Sequence, residues 1–315
     1  MFLVPNKYSF LYFKLDVKNY IKNWKYRKMM RFCKCKRKNV LFFYFEPSIK
    51  HAGLADRIKA VISLYNIAKL NNYEFCFSWT TPFDIETYLS VKKNVLFKKE
   101  ELEYSIFDTE IISEVNWRDN TYLKPNKQYH CYIYSGNAMP YVFENTGLKW
   151  NDLFTELFLP QKVITDYIES LNIKRHTFVS VHFRFVNALE HFENTFFDNY
   201  IESELEKQNL IEKCHRAIRD IIAENLEKQV FVFSDSSVFL NSLMSLPVKV
   251  LEHDNLAHVS ERSDKDSILK SFVDLYVMSM SSAVYRIRAK ELYNFSEYSL
   301  LAARIGDVPF INKDI

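Results

Sequence analysis

Glycine is scarce, with 4 in 315 residues, and proline is sparse at 8. So little of either excludes collagen-like repeats, low-complexity tracts and long flexible linkers. The glycine-rich nucleotide loops are missing as well, since neither GxxxxGK[ST] nor GxGxxG occurs. HExxH and GxSxG are absent, which removes the zinc-protease helix and the nucleophile elbow. No Asp-x-Asp pair is placed after a strand, so the common metal–diphosphate device is lacking and an arginine would have to do the work of the cation. The five cysteines, Cys33, Cys35, Cys76, Cys131 and Cys214, are odd in number and make no zinc set; reduced thiols are the expectation. No apolar run is long enough to span a bilayer, and the short apolar stretch 1–13 has no small-residue cleavage site. A net charge of +3 is too small to imply a nucleic-acid partner.

What is present is apolar and patterned. Hydrophobic residues make up 48% of the chain, enough for two domains to bury a core each. Charge is uneven: Lys14 to Lys38 carries eleven Lys and Arg against one acid, Asp16, interleaved with aromatics and Met. Such a leader either lies on an anionic membrane surface or is simply a solvated basic segment. Val40 to Phe45 is a continuous apolar run, as a strand buried on both faces requires. A helical pattern follows from His51 to Leu70, closed by Asn71 and Asn72, and Tyr73 to Trp79 reads as a second strand. The second half repeats the alternation: strands over 177–185, 229–233, 248–251 and 283–287, helices over 201–226, 270–279 and 298–305. Two α/β halves result. The expected fold is GT-B, two Rossmann-like domains facing a cleft, with ligands beyond the carboxyl ends of the strands. The boundaries are drawn as a leader over 1–38, an acceptor-side domain over 39–160 and a nucleotide-binding domain over 161–315.

Four constellations can carry chemistry. His51-Ala-Gly53-Leu-Ala-Asp-Arg57 sits where a strand turns into a helix; Gly53 permits close approach and the helix N-terminus offers N–H groups to an anion. The bland alternative is a glycine turn with Arg57 in a salt bridge. In TFVSVHFRF, alternation puts His182 and Arg184 on one face near the strand's carboxyl end. A guanidinium there suits a diphosphate, and would stabilise charge on a departing nucleoside diphosphate; otherwise His182 is a core histidine beside an ion-paired arginine. Asp235, at another strand end, can accept from ribose or a base, or can cap the next helix. Asp274 and Ser296 lie in the last two helical regions, Asp274 facing a nucleotide or solvent, Ser296 capping the final helix or presenting its N–H groups to phosphate.

Together these segments resemble the fucosyltransferase superfamily, which includes the nodulation fucosyltransferase, the core alpha-1,6-fucosyltransferases and the protein O-fucosyltransferases. HAGLADRIKAVISLYNIAKL with Trp79 and Pro82-Phe83 looks like its amino-terminal signature; VSVHFRF, VFVFSDS and the stretch from Ser271 to Phe310 resemble its later motifs, in order over about residues 40–310. The resemblance implies an inverting, metal-independent transfer from GDP-fucose to a glycan hydroxyl, with no cofactor. By position it implies that Arg184 binds the diphosphate beside His182, that Asp235, Asp274 and Ser296 contact the nucleotide, and that Gly53 and Arg57 form the amino-terminal turn. Relatives often carry a further basic residue and Gly-Asn or Gly-Asp after the arginine; here Phe185-Val186-Asn187 follows, leaving Asn187 as a binding candidate and Glu190, Glu193 and His51 as candidates for the general base. The expected setting is surface-glycan assembly at the cytoplasmic side of a membrane, with residues 14–38 as the contact. A catalytically inactive binding protein on this fold, and a transferase using another GDP-sugar, remain as alternatives.

Overall fold

The computed structural model describes residues 28–46, 51, 53–92, 94–112, 122–132, 149–191, 199–251 and 265–315. The chain divides into two units: one of residues 1–52, 57–85 and 91–149, the other of 53–56, 86–90 and 150–315. The division falls between Lys149 and Trp150, where the sequence reading drew it near 160. Each unit is built on a parallel sheet, so the α/β, GT-B-type fold class expected from the sequence stands.

The N-terminal sheet has the order β2-β1-β5-β4, from β1 (Val40–Tyr44), β2 (Glu74–Ser78), β4 (Thr109–Ile112) and β5 (Gln128–Cys131), all parallel. β1 is buried along its whole length because VLFFY presents apolar side chains to both faces. Val40, Phe42 and Tyr44 join Cys76, Phe97, Leu102 and Tyr132 in one core. Helix α1 (Leu54–Leu70) stops where expected: Asn71 Nδ2 donates to Ile67 O at 2.8 Å, and Asn72 takes the left-handed conformation that ends helices. Residues 31–38, grouped with the leader in sequence, pack into this unit: Cys35 is buried and its N–H donates to Asp108 Oδ2 at 2.8 Å. The rest of the leader, to residue 27, lies outside the described residues.

The C-terminal sheet has the order β10-β9-β7-β8, from β7 (Phe178–Phe183), β8 (Gln229–Ser234), β9 (Val284–Arg288) and β10 (Phe310–Asp314), again parallel. Helix α4 (Glu204–Glu224), opened by Ser203 accepting from Glu206 N, covers one face with Leu210, Cys214, Ile218 and Ile221 against Val179, Val181 and Phe183. Helices α6 (Lys265–Ser279) and α7 (Tyr298–Gly306) pack so closely that a Cβ on Gly306 would lie 2.0 Å from Ser279 O. Smaller elements complete the unit: α2 (Trp150–Leu157), α3 (Lys162–Ser170), α5 (Ser237–Ser242) and a two-stranded sheet of β3 (Leu89–Val91) and β6 (Phe158–Pro160). The strand expected over 248–251 is reduced to one bridge, Lys249 to Phe231, at the edge of β8. In both sheets the first strand has its crossovers on either side, which opens a crevice at its carboxyl end.

Candidate functional site

β7 carries the expected alternation. Val179, Val181 and Phe183 enter the core under α4, while Ser180 and His182 take the opposite face, fully covered. His182 pairs in register with Arg286 of β9 across the crevice strand pair. Its ring lies 5.8 Å from that of Tyr298, and Nδ1 has no hydrogen-bond partner. Burial drives its pKa down to about 3, and Arg184, Arg286 and Lys270 act in the same direction. A field that repels a proton from an imidazole attracts a diphosphate.

Arg184 follows directly and its side chain is only 14% exposed. Nη1 meets Asp235 Oδ2 at 2.9 Å. The same carboxylate accepts from Phe185 N and Val186 N, each at 2.8 Å. Burial pushes the Asp235 carboxyl up, and the Arg184 guanidinium and two backbone N–H groups act against that rise. Asp235 therefore ties the end of β8 to the turn after β7 and orients Arg184. The capping role left open for Asp235 falls to Ser236, whose side chain accepts from Phe239 N at the start of α5. Val186 has φ 58°, a left-handed conformation unfavourable for a β-branched residue. The sequence position is one at which the resemblance leads one to expect glycine.

The rest of that loop is stapled down. Asn199 Oδ1 accepts from Asn187 N at 3.2 Å, and Asn199 Nδ2 donates to Phe185 O and Glu291 O. Tyr293 N donates to Arg184 O at 2.9 Å. Glu190 accepts from Ser236 Oγ and Ser237 Oγ, each at 2.8 Å, and from Val238 N at 3.2 Å. Burial alone would raise its pKa; those hydrogen bonds bring it below the ordinary value. The Glu190 carboxylate thus serves the start of α5, a geometry that suits a cap better than a base. Glu193 lies outside the described residues.

Asp274 is buried one helical turn from Lys270 and ion-paired with it. Tyr298, whose hydroxyl donates to Ser271 O, has its pKa raised well above the ordinary value by burial and by Asp274. Ser296 is buried and its carbonyl accepts from Arg286 Nη1 at 2.7 Å. It does not cap α7: Glu297 occupies that position and supplies no side-chain hydrogen bond to the first turn. His182, Arg184, Asp235, Asp274 and Ser296 therefore fall in one unit, on the strand ends and the two helices over them.

Lys270, Arg286 and Tyr298 belong to the same neighbourhood and were not singled out in the sequence. The available signals were an arginine inside the apolar strand VYRIR and a lysine four residues before Asp274.

The amino-terminal candidates have other surroundings. Arg57 is 2% exposed; Nη1 donates to Thr81 O at 2.9 Å and its guanidinium lies 5.0 Å from the Phe45 ring centroid. His51 Nε2 meets Glu46 O at 2.9 Å, with its ring edge-on to Phe45. Gly53 stands immediately before α1. Among the described residues no three His, Cys, Asp or Glu side chains gather as a metal site.

No protein-family model and no curated protein matches the chain. Solved structures do. NodZ alpha-1,6-fucosyltransferase soaked with GDP-fucose superposes with TM-score 0.54 at 13% identity, covering 87% of this chain and 94% of that one. FUT1 of Arabidopsis thaliana, in complex with GDP, gives TM-score 0.56 at 12% identity over 93% of this chain and 74% of that one. NodZ, known from Bradyrhizobium, matches again in a form co-crystallised with GDP, at TM-score 0.52 and 12% identity over 85% of this chain and 92% of that one. Over nearly its whole length, this chain has the fold of these fucosyltransferases.

Proposed function

We propose that this protein is a glycosyltransferase that moves fucose from GDP-fucose to a glycan hydroxyl with inversion and without a metal. The observation that carries the reading is Arg184: a mostly buried guanidinium, oriented by Asp235, at the carboxyl end of the crevice strand. The likeness to structures holding GDP or GDP-fucose supports the choice of donor.

In this reading the donor diphosphate is held at the end of β7. As the glycosidic bond to phosphate breaks, charge grows on the departing GDP. Arg184, already oriented, meets that charge without having to reorganise. His182 stays neutral, so it can accept or donate one hydrogen bond without repelling the cations beside it. The uncapped first turn of α7 offers further N–H groups to phosphate. Asp274, paired with Lys270, and Ser296 line the nucleotide side, and Asn187 and Gly53 complete the binding set. Asp235 and Glu190 hold the framework, which leaves a phosphate oxygen of the departing GDP, His51 or Glu193 to take the acceptor's proton. A pH–rate profile separates these: a His51 base gives an acidic limb that His51→Ala abolishes. The acceptor is a surface polysaccharide or lipid-linked glycan, and the basic stretch 14–38 places the enzyme at the cytoplasmic face of a membrane.

The test is GDP release. Purified protein is incubated with GDP-fucose, other GDP-sugars and UDP-sugars over a pool of glycan acceptors. Acceptor-dependent release from GDP-fucose supports the reading. Release from a different GDP-sugar reassigns the donor. GDP binding by calorimetry without release for any acceptor supports a binding protein on the same fold, the reading that the replaced arginine motif favours.

A further inference from the structure

Two loops of the N-terminal unit meet at an exposed apolar tip. Residues 31–35 run beside 103–106: Arg31 N donates to Tyr104 O at 2.9 Å, Ile106 N donates to Arg31 O at 3.2 Å, and Ser105 Oγ donates to Cys33 O. The pairing holds Phe32 against Phe107, edge to face, with ring centroids 6.2 Å apart. Phe32 is 85% exposed, Phe107 53%, Met29 48% and Ile106 44%. Single exposed apolar side chains are ordinary on a protein surface. Here two aromatic rings are braced against each other in solvent, with Ile106 next to them in the chain.

The tip is anchored from beneath. Asp108 Oδ2 accepts from Cys35 N, Asp108 Oδ1 pairs with Lys38, and Glu103 Oε2 accepts from Lys36 N at 2.7 Å. These contacts also occupy the acids of the second loop. The first loop, 28–38, holds six Lys and Arg and no acid. Arg37 and Lys38 pair with Glu74 and Asp108. Arg31, Lys34 and Lys36 are exposed, and no ion pair of theirs occurs among the described residues. Lys127 reaches the same place, donating to Phe107 O. The tip is therefore apolar at its point, cationic around it, and depleted of available carboxylates.

We propose that this tip docks the protein on an anionic lipid bilayer. Phe32 and Phe107 enter the boundary between headgroups and acyl chains, and Arg31, Lys34 and Lys36 meet lipid phosphates. Charge complementarity selects this occupant: a second copy would bring two cationic tips together. The inference sharpens the membrane setting proposed above, on which it rests only for context. It assigns half of the contact to Ile106 and Phe107, which lie far from the leader in sequence.

The experiment is co-sedimentation of the full chain with vesicles of phosphatidylcholine alone or mixed with phosphatidylglycerol. Binding is expected only to the anionic vesicles, and is expected to fall in about 0.5 M salt as screening shortens to a few ångströms. Phe107→Ser keeps every leader charge and sits at a half-exposed position, so it folds; binding is expected to drop at least ~10-fold, matching the burial of a large apolar side chain in the bilayer. Phe32→Ser should do the same. Unchanged binding in both variants would overturn the tip and leave the leader's charge as sole cause. No binding to anionic vesicles overturns membrane docking altogether. Self-association in ultracentrifugation that Phe107→Ser abolishes assigns the tip to a second copy and also overturns it. GDP release in free solution is expected to be equal in wild type and both variants, so the result stands apart from the test of the donor.

Discussion

Both halves are four-stranded parallel sheets with the first strand beside the second, but the other two strands are swapped, the last strand of the N-terminal half (β5) lying beside β1 and the third of the C-terminal half (β9) beside β7; they also differ at the point where chemistry could occur. In the N-terminal unit the crevice strand β1 runs on into aromatic packing, with Phe45 against Trp79 at 4.8 Å, the His51 ring and the Arg57 guanidinium. In the C-terminal unit the equivalent strand β7 ends among Arg184, Asp235, His182, Lys270 and Arg286. Arg57 and Arg184 are both binding candidates in the sequence, yet the Arg57 guanidinium meets the Thr81 carbonyl and the Phe45 ring while Arg184 sits in an ionic group at a strand's carboxyl end. Topology locates two crevices; the side chains choose between them.

The largest test of that contrast is Arg184→Ala. Turnover of GDP-fucose is expected to fall more than ~100-fold, because the charge developing on GDP loses its fixed partner. Near-normal steady-state rates would take Arg184 out of the site. The matching change in the other half, Arg57→Ala, is expected to cost about 2–3 kcal/mol of stability by stranding Thr81 O and opening packing against Phe45, measured by chemical denaturation. GDP affinity in that variant should hold; a large loss would put Arg57 in the binding set.

Each half also buries a histidine whose pKa is lowered to about 3, His130 in the first and His182 in the second. The unfolded chain binds these protons near pH ~6.5, so stability is complete above that value and declines as pH falls from there toward 3. The loss is up to ~1.4 kcal/mol per pH unit for each ring. His182→Gln should flatten part of this slope in acid titrations followed by circular dichroism. The two rings differ in cause: burial alone acts on His130, whereas cations add to burial at His182. Bound GDP should therefore move the His182 titration upward and leave that of His130 in place, as read by proton NMR. Equal movement would erase the distinction.

The smallest effect concerns the backbone. Val186→Gly relieves a left-handed valine and is expected to raise stability by about 1 kcal/mol, seen as a higher thermal midpoint. A decrease would mean that the side chain contributes packing that outweighs the strain.

Much of this was legible in the chain. The strand VSVHFRF could be read because both of its faces are covered: an apolar set marked one side, and polar residues in the middle of so apolar a run had to be either paired or functional. The end of α1 was legible through Asn72, whereas the helix expected over 201–226 begins only at Glu204, after Ser203 accepts from Glu206 N. The edge strand β10 was not, since most of its side chains are exposed and it is held by cross-strand pairs, Arg286 with Asn312 and Arg288 with Asp314, that no local pattern announces. Glu190 shows a different limit of the local pattern. A carboxylate soon after an arginine motif resembles a base until the hydroxyls of Ser236 and Ser237, far along the chain, are seen to face it. Asp235 likewise gains its meaning from Phe185, Val186 and Arg184, fifty residues upstream.

That bridge from Asp235 has a thermodynamic corollary. Two loops belonging to separate strands are already joined before any ligand arrives, so association need not freeze them. Nucleotide capture should accordingly show a modest entropic penalty and an encounter rate governed by ionic strength rather than by loop ordering. The corresponding drawback is that the incoming phosphate must share a guanidinium with an acid that never leaves.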